Sequence, residues 1–146
     1  MNVWVTRMFS YLVSLTFVTI VLIYGLYLPT FMSGAPLLVK EYYYVNAISS
    51  FLLDIILVAT YISMGMVSAK ILNVRADDHG SQLGVQALTA GLISSLFMIF
   101  FLGQSNNSFF TRWFKAAGFR AVLYDMILVC SVYFVMIQVH NRIFPE

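Results

Sequence analysis

The sequence predicts an all-α membrane protein whose four transmembrane helices form two hairpins. Hydrophobic residues make up 61% of the 146-residue chain and charged residues only 10%, whereas soluble domains average about 25% charged residues. A membrane-spanning helix requires roughly 20 predominantly apolar residues, and four stretches satisfy this. The predicted spans are residues 8–27, 47–71, 83–102 and 119–139, and residues 1–146 together form a single domain.

The connections between these stretches justify their boundaries. The first span ends before Pro29, because proline lacks an N–H group and clashes with the preceding helical turn. A charged and tyrosine-rich cluster, residues 40–44, precedes the second span and suits the headgroup level of a bilayer. Residues 73–80 form a polar turn before the third span, and residues 103–108 form a polar loop after it. Residues 109–115 are predicted to be an amphipathic segment in the membrane interface.

Two spans each contain one aspartate in nearly the same phrase. Residues 53–58 read Leu-Asp-Ile-Ile-Leu-Val and residues 124–129 read Tyr-Asp-Met-Ile-Leu-Val. A charged residue inside a span is costly and therefore marks an important position. The two aspartates, Asp54 and Asp125, lie half a chain apart, which suggests an internal duplication of a hairpin. The alternative is that two helices entering from one side of the membrane converged on similar compositions.

Both aspartates lie near the helix ends that face the longer connections, and hence at similar depth. The helix dipole favours such an acid by only about 0.3–1 kcal/mol, less than the few kcal/mol that a carboxylate costs in lipid. We therefore expect Asp54 and Asp125 to be intramembrane polar pins that face the bundle interior, with an ion pair between Arg120 and Asp54. The alternative is a relay in which the two acids share a proton or hold a cation.

Small residues on the third span predict how it packs. Ala87, Gly91 and Ser95 recur at four-residue spacing, which lets helix backbones approach closely. We therefore expect the third span to be the central packing helix. Gly65, which lies between two methionines, is expected to supply the complementary groove on the second span.

Aromatic residues make up 16% of the chain, and two clusters lie on the side of the longer connections. Belts of Tyr and Trp at membrane interfaces account for most such residues, yet both clusters also contain basic residues. We therefore expect a docking surface for a neighbouring protein, because aromatic and arginine anchors dominate binding energy at protein interfaces. Its members are Tyr42, Tyr43, Tyr44, Arg112, Trp113, Phe114 and Lys115.

Other classes of function lack a signature in the sequence. No basic patch typical of nucleic-acid binding is present, and the consecutive residues Asp77, Asp78 and His79 lack the spacing of a metal site. The connections are too short to bury a core of their own. The sequence therefore predicts no enzyme activity, no cofactor and no metal. The predicted partners are the lipid bilayer, neighbouring structural proteins and further copies of the chain in a homo-oligomer.

Residues 113–128 read Trp-Phe-Lys-Ala-Ala-Gly-Phe-Arg-Ala-Val-Leu-Tyr-Asp-Met-Ile-Leu. This segment resembles small multi-span proteins of nucleocytoplasmic large DNA viruses, of the iridovirus and phycodnavirus groups, and the resemblance is confined to about the last third of the chain. It implies a structural protein of the virion's inner membrane that anchors minor capsid proteins to the bilayer. Two alternatives stay open: an accessory subunit of a large respiratory-type membrane complex, and a proton or cation channel or transporter that uses Asp54 and Asp125.

Overall fold

The computed structural model describes residues 2–145, and these contain helices but no strand. Among them are four helical stretches long and apolar enough to cross a membrane: Val3–Gly25, Ala47–Ile71, His79–Leu102 and Phe119–Ile143. The first consists of α1, Val3–Val18, continued by a π-helical segment, Thr19–Gly25. The predicted fold class, all-α with four spans, is therefore confirmed.

Short helices occupy the two longer connections. α2 (Leu28–Ser33) and α3 (Pro36–Lys40) follow the first span, and a second π-helical segment (Glu41–Val45) leads into α4, which is Ala47–Ile71. After α5, His79–Leu102, the helix α6 (Phe109–Ala117) precedes α7, Phe119–Ile143. Gly118 separates the last two helices with φ of 58° and ψ of −134°, a conformation that glycine adopts without steric cost.

The first and third spans begin before their predicted limits, and a polar side chain caps the first turn of each. α1 begins directly after Asn2, whose side chain accepts a hydrogen bond of 3.0 Å from the N–H of Trp4. α5 begins at His79 rather than at residue 83, because Asp78 accepts a hydrogen bond of 3.1 Å from the N–H of Ser81. Such caps satisfy N–H groups that a helix start leaves without a partner. The hydrogen bonds from Ser81 also hold the pKa of Asp78 below its usual value.

α5 and α7 form the centre of the bundle. α5 packs along both α4 and α7, and α7 packs in addition along α1. α1 and α4 meet at few positions, among them the hydrogen bond of 2.6 Å from the Tyr11 hydroxyl to the carbonyl of Ile55. The helices are therefore neighbours in the order α1, α7, α5 and α4, and the first hairpin is splayed.

The polarity of α5 is the reverse of that in a soluble protein. The residues buried along one face are Gln82, Gln86, Ala90 and Ser94. The other side carries three exposed leucines, Leu88 (73% exposed), Leu92 (66%) and Leu96 (60%). A helix in water turns its apolar face inward, so this arrangement suits a lipid surround. The protein is an integral, multi-pass membrane protein.

Candidate functional site

A cavity of about 190 Å³ lies in the half of the bundle that carries the longer connections. Asp54 from α4 and Asp125 from α7 both line it, together with Leu57 and Val58 of α4 and several aromatic side chains. Within the described residues, no Lys, Arg or His contributes to its walls. The two acids of the repeated phrase therefore share one cavity, whose other walls are mainly apolar.

Asp54 holds the segment that precedes its own helix. Its Oδ1 accepts a hydrogen bond of 2.6 Å from the hydroxyl of Tyr42. Only 6% of Asp54 and 8% of Tyr42 is exposed, so this hydroxyl provides a hydrogen bond that a buried carboxyl requires. The contact fixes the π-helical segment Glu41–Val45 against the first turns of α4.

Asp125 connects the two central helices. Its Oδ2 accepts a hydrogen bond of 2.5 Å from the hydroxyl of Ser94, which is fully buried on α5. A satisfied polar contact across a helix interface makes the packing at that position specific. Both acids thus connect neighbouring elements, but each does so through a hydroxyl group.

The predicted ion pair between Arg120 and Asp54 is wrong. Among the described residues, ion pairs join Arg75 to Asp77 and Arg112 to Glu41, and none includes Asp54. Arg120 is exposed on the first turn of α7, whereas Asp54 faces the interior. The arginine lies over Gly34, and its Nη1 would be 3.0 Å from a β-carbon at that position. Gly34 has φ of 65° and no side chain, which allows this close approach.

The predicted docking surface is largely internal. Exposure is only 8%, 7%, 7% and 4% for four of its seven members: Tyr42, Tyr43, Trp113 and Phe114. Lys115 and Tyr44 are exposed and Arg112 is partly exposed. The prediction of one continuous aromatic surface for a partner is therefore wrong, and three separate side chains of that set still face outward.

Aromatic packing explains why these rings point inward. Tyr42 stacks on Phe109, with 4.8 Å between the ring centroids, and Trp113 meets Tyr124 edge to face at 6.3 Å. The predicted interfacial segment is thus α6, which packs its apolar face on the end of the bundle. Large aromatic side chains stabilise a fold most when they are fully buried. Packing these rings inside the bundle is therefore favoured over a belt of exposed rings.

An ion pair holds α6 against the segment before α4. The Nη1 and Nη2 atoms of Arg112 donate hydrogen bonds of 2.7 and 2.8 Å to the two carboxylate oxygens of Glu41. Such two-point pairing between guanidinium and carboxylate is geometrically specific. The hydrogen bonds lower the pKa of Glu41 below its usual value and raise the pKa of Arg112.

Tyrosine hydroxyl contacts between distant segments were not predicted from the sequence. The hydroxyl oxygens of Tyr43 and Tyr124 lie 2.7 Å apart, and the hydroxyl of Tyr24 donates to the backbone carbonyl of Tyr43. The three tyrosines connect the end of the first span, the π-helical segment before α4 and α7. Aromatic residues occur throughout the chain, so no sequence signal distinguishes these pairs.

The small residues of α5 lie beside its buried face rather than on it. Ala87, Gly91 and Ser95 are partly buried, and the fully buried positions are one residue earlier, at Ala90 and Ser94. Gly91 faces α7, because a β-carbon there would lie 2.9 Å from the sulfur of a methionine on that helix. At Gly91, α5 therefore approaches α7 closely.

Two further packing features concern the other helices. Gly65 on α4 accommodates the side chain of Gln86 from α5, which occupies the space of a missing β-carbon.

On α1, Thr6, Ser10 and Ser14 are buried at four-residue spacing. This is the same signal that small residues give on the third span, and it could have predicted the face that α1 turns to α7.

Comparison of the chain with family models, with curated proteins and with solved structures gives no match. The described residues contain no group of three His, Cys, Asp or Glu side chains that could hold a metal ion. The cavity, its two carboxyls and the exposed side chains of the connections are therefore the features from which a function can be inferred.

Proposed function

We propose that the protein is a structural, non-enzymatic component of a membrane assembly. The observation that carries this proposal is that a hydroxyl group of a neighbouring element engages each intramembrane acid, Tyr42 at Asp54 and Ser94 at Asp125. Buried polar contacts that are satisfied make a bundle rigid and its packing specific. A rigid bundle with an apolar exterior is suited to anchoring other proteins in a bilayer.

The location that we propose is the internal membrane of a virion, where the protein anchors minor capsid proteins. The resemblance of residues 113–128 to small membrane proteins of nucleocytoplasmic large DNA viruses supports this location. A partner would contact the outer side of the longer connections, where Tyr44 and Lys115 are exposed and Arg112 is partly exposed. Lys115 favours an acidic partner surface, whereas the charge of Arg112 is already paired with Glu41.

Photocrosslinking in the native membrane tests the anchoring role. A photoreactive residue at Tyr44 or Lys115 is expected to form adducts with a neighbouring protein. The control position is Leu92, which is 66% exposed on α5 and should label lipid. If positions 44 and 115 label only lipid and solvent, the anchoring role is wrong. Adducts with subunits of a large respiratory-type complex would replace the viral location with the accessory-subunit alternative.

A proton or cation pathway is the second candidate, and the cavity shared by Asp54 and Asp125 favours it. Such a pathway requires that the wild-type protein carries flux in liposomes, and that Asp54→Asn and Asp125→Asn abolish flux while the protein stays folded. The structural role predicts no flux from the wild type and reduced stability in both variants. A pH-sensitive or cation-sensitive dye inside the liposomes, combined with thermal unfolding, distinguishes the two.

A further inference from the structure

The cavity between Asp54 and Asp125 combines carboxyl groups with aromatic side chains, and both attract cations. Ring faces attract positive charge through their quadrupole, most strongly in Trp and Tyr, and Trp113, Tyr61 and Tyr124 are among the lining residues. Within the described residues, no basic side chain of the chain itself reaches this space. The site is therefore complementary to a positively charged ligand.

We propose that this cavity binds a small organic ammonium ion with apolar substituents, such as a trimethylammonium group. Its volume of about 190 Å³ exceeds that of an apolar cavity of about 150 Å³ that accommodates benzene, so a ligand of the size of choline fits. Hard inorganic cations take about six or more oxygen ligands, which mainly apolar walls do not offer. A transmembrane helix of a partner protein is about 10 Å wide and cannot enter.

Each carboxyl has an oxygen available for such a ligand. Tyr42 donates to Oδ1 of Asp54, and Ser94 donates to Oδ2 of Asp125. The second oxygen of each carboxyl accepts no hydrogen bond from the described residues. Burial of a carboxylate without a compensating charge is costly, so a cation between the two acids offsets that cost.

A neighbouring groove provides the entrance. This groove, of about 230 Å³, is lined by Glu41 and Asn46, and it shares Tyr42, Phe109 and Phe110 with the cavity. The three rings therefore separate the groove from the cavity. A cation that takes this route passes the ion pair of Glu41 with Arg112, and rotation of the partly buried Phe109 and Phe110 rings would open the way to the two aspartates.

This binding site does not depend on the structural role proposed above, because no partner protein contributes to the cavity. The same chemistry could come from a free alkylammonium metabolite or from the choline headgroup of a lipid. A lipid headgroup is already at the membrane surface, close to the groove, whereas a free cation arrives from the aqueous phase. The shared chemistry is the quaternary ammonium group.

Choline and its neutral isostere 3,3-dimethylbutan-1-ol form a matched pair of probes. They differ only in that an uncharged carbon replaces the positively charged quaternary nitrogen of choline. The chain has two tryptophans, so a Trp4→Phe background leaves Trp113 as the reporter of the cavity. In maltoside micelles, which contain no ammonium group, we expect choline to change Trp113 emission with an affinity at least about tenfold tighter than the isostere. Equal affinity for the two probes, or no response up to about 10 mM choline, would overturn the proposal.

Two substitutions test where choline binds. Asp54→Asn and Asp125→Asn are each expected to weaken binding at least about tenfold, whereas Asp77→Asn, at an exposed side chain between α4 and α5, should leave it unchanged. Unchanged binding in both folded Asn variants would contradict the proposed site. If these variants do not fold, the comparison of the two probes still decides. Competition by a short-chain phosphatidylcholine assigns the ligand to a lipid headgroup, and its failure to compete assigns a free cation.

Discussion

Gly65 determines how closely α4 and α5 approach, and Gly65→Ala tests this contact. A β-carbon at position 65 would overlap the oxygen, carbon and nitrogen of the Gln86 side-chain amide. Gln86 is fully buried, and its amide nitrogen donates a hydrogen bond of 3.2 Å to the carbonyl of Ile62. The amide therefore cannot move aside without losing this hydrogen bond, although it is the flexible end of the side chain.

The expected loss of stability follows from three contributions. Overpacking a core costs about 1–3 kcal/mol, and a buried polar group without its partner costs about 1–3 kcal/mol. Alanine is favoured over glycine in a helix by about 1 kcal/mol. Because the Gln86 amide can shift, both penalties lie in the lower part of their ranges. After the gain in helix propensity is subtracted, Gly65→Ala should lower the free energy of unfolding by about 1–3 kcal/mol. Gly84→Ala is the matched control, since no atom lies within 4 Å of its β-carbon position.

The free energy of unfolding is measured by titrating the protein in maltoside micelles with SDS and following helical circular dichroism. Gly65→Ala should be less stable than the wild type, whereas Gly84→Ala should be equally or more stable. The double variant Gly65→Ala with Gln86→Ala should be more stable than the sum of the single effects predicts, because it removes the overlapping amide. Wild-type stability of Gly65→Ala, or strict additivity in the double variant, would refute the contact.

Three further predictions concern hydroxyl contacts and the ion pair of α6. Tyr42→Phe removes the hydrogen bond to a buried carboxyl and should cost about 1–3 kcal/mol in the same SDS titration, whereas Tyr44→Phe, at a residue 47% exposed, should change stability by less than about 0.5 kcal/mol. Ser94→Ala should lower the thermal unfolding temperature and Ser95→Ala should not, because the Ser95 hydroxyl bonds within its own helix; equal effects would contradict the contact between α5 and α7. The pKa of Glu41 is lowered from its usual 4.5, so its stabilising contribution is complete above that pH and is lost as the pH falls through the lowered value. Glu41→Gln should therefore remove part of the decline in unfolding temperature at acid pH, and an identical decline in both proteins would show that the ion pair does not contribute.

The spans could be predicted from the sequence because their signal is local. Length and hydropathy identify a transmembrane helix within its own segment, without knowledge of what it packs against. The inward position of Asp54 followed from the cost of a carboxyl in lipid. Its partner did not, because a carboxyl is satisfied equally by a guanidinium or a hydroxyl, and the sequence does not indicate which one the fold brings near. Arg120 was the charged candidate for the partner of Asp54. Tyr42, in the segment directly before α4, lies next to Asp54 and binds it instead.

The aromatic clusters show a second limit of sequence-based prediction. Tyr and Trp near a span end are equally compatible with an exposed interface belt and with a buried cap on the bundle. The choice depends on α6, whose position is fixed by Gly118 and by the ion pair between Arg112 and Glu41. Neither the conformation of Gly118 nor the pairing of Arg112 with Glu41 can be recognised from the sequence. Trp113 was therefore predicted to face a partner, whereas it lines the cavity.

The two aspartates of the repeated phrase lie at one polar site of the bundle. α4 and α7 begin at the same end of the bundle, and both acids line one cavity. A duplication would place equivalent hydroxyl donors in both halves, yet the acid of α4 is bound by Tyr42 and the acid of α7 by Ser94. The position equivalent to Tyr42 is Trp113, which has no hydroxyl, and the position equivalent to Ser94 is the apolar Ile23. Each acid therefore has a donor of its own kind, and the donors do not follow the repeat. The internal duplication stays a prediction.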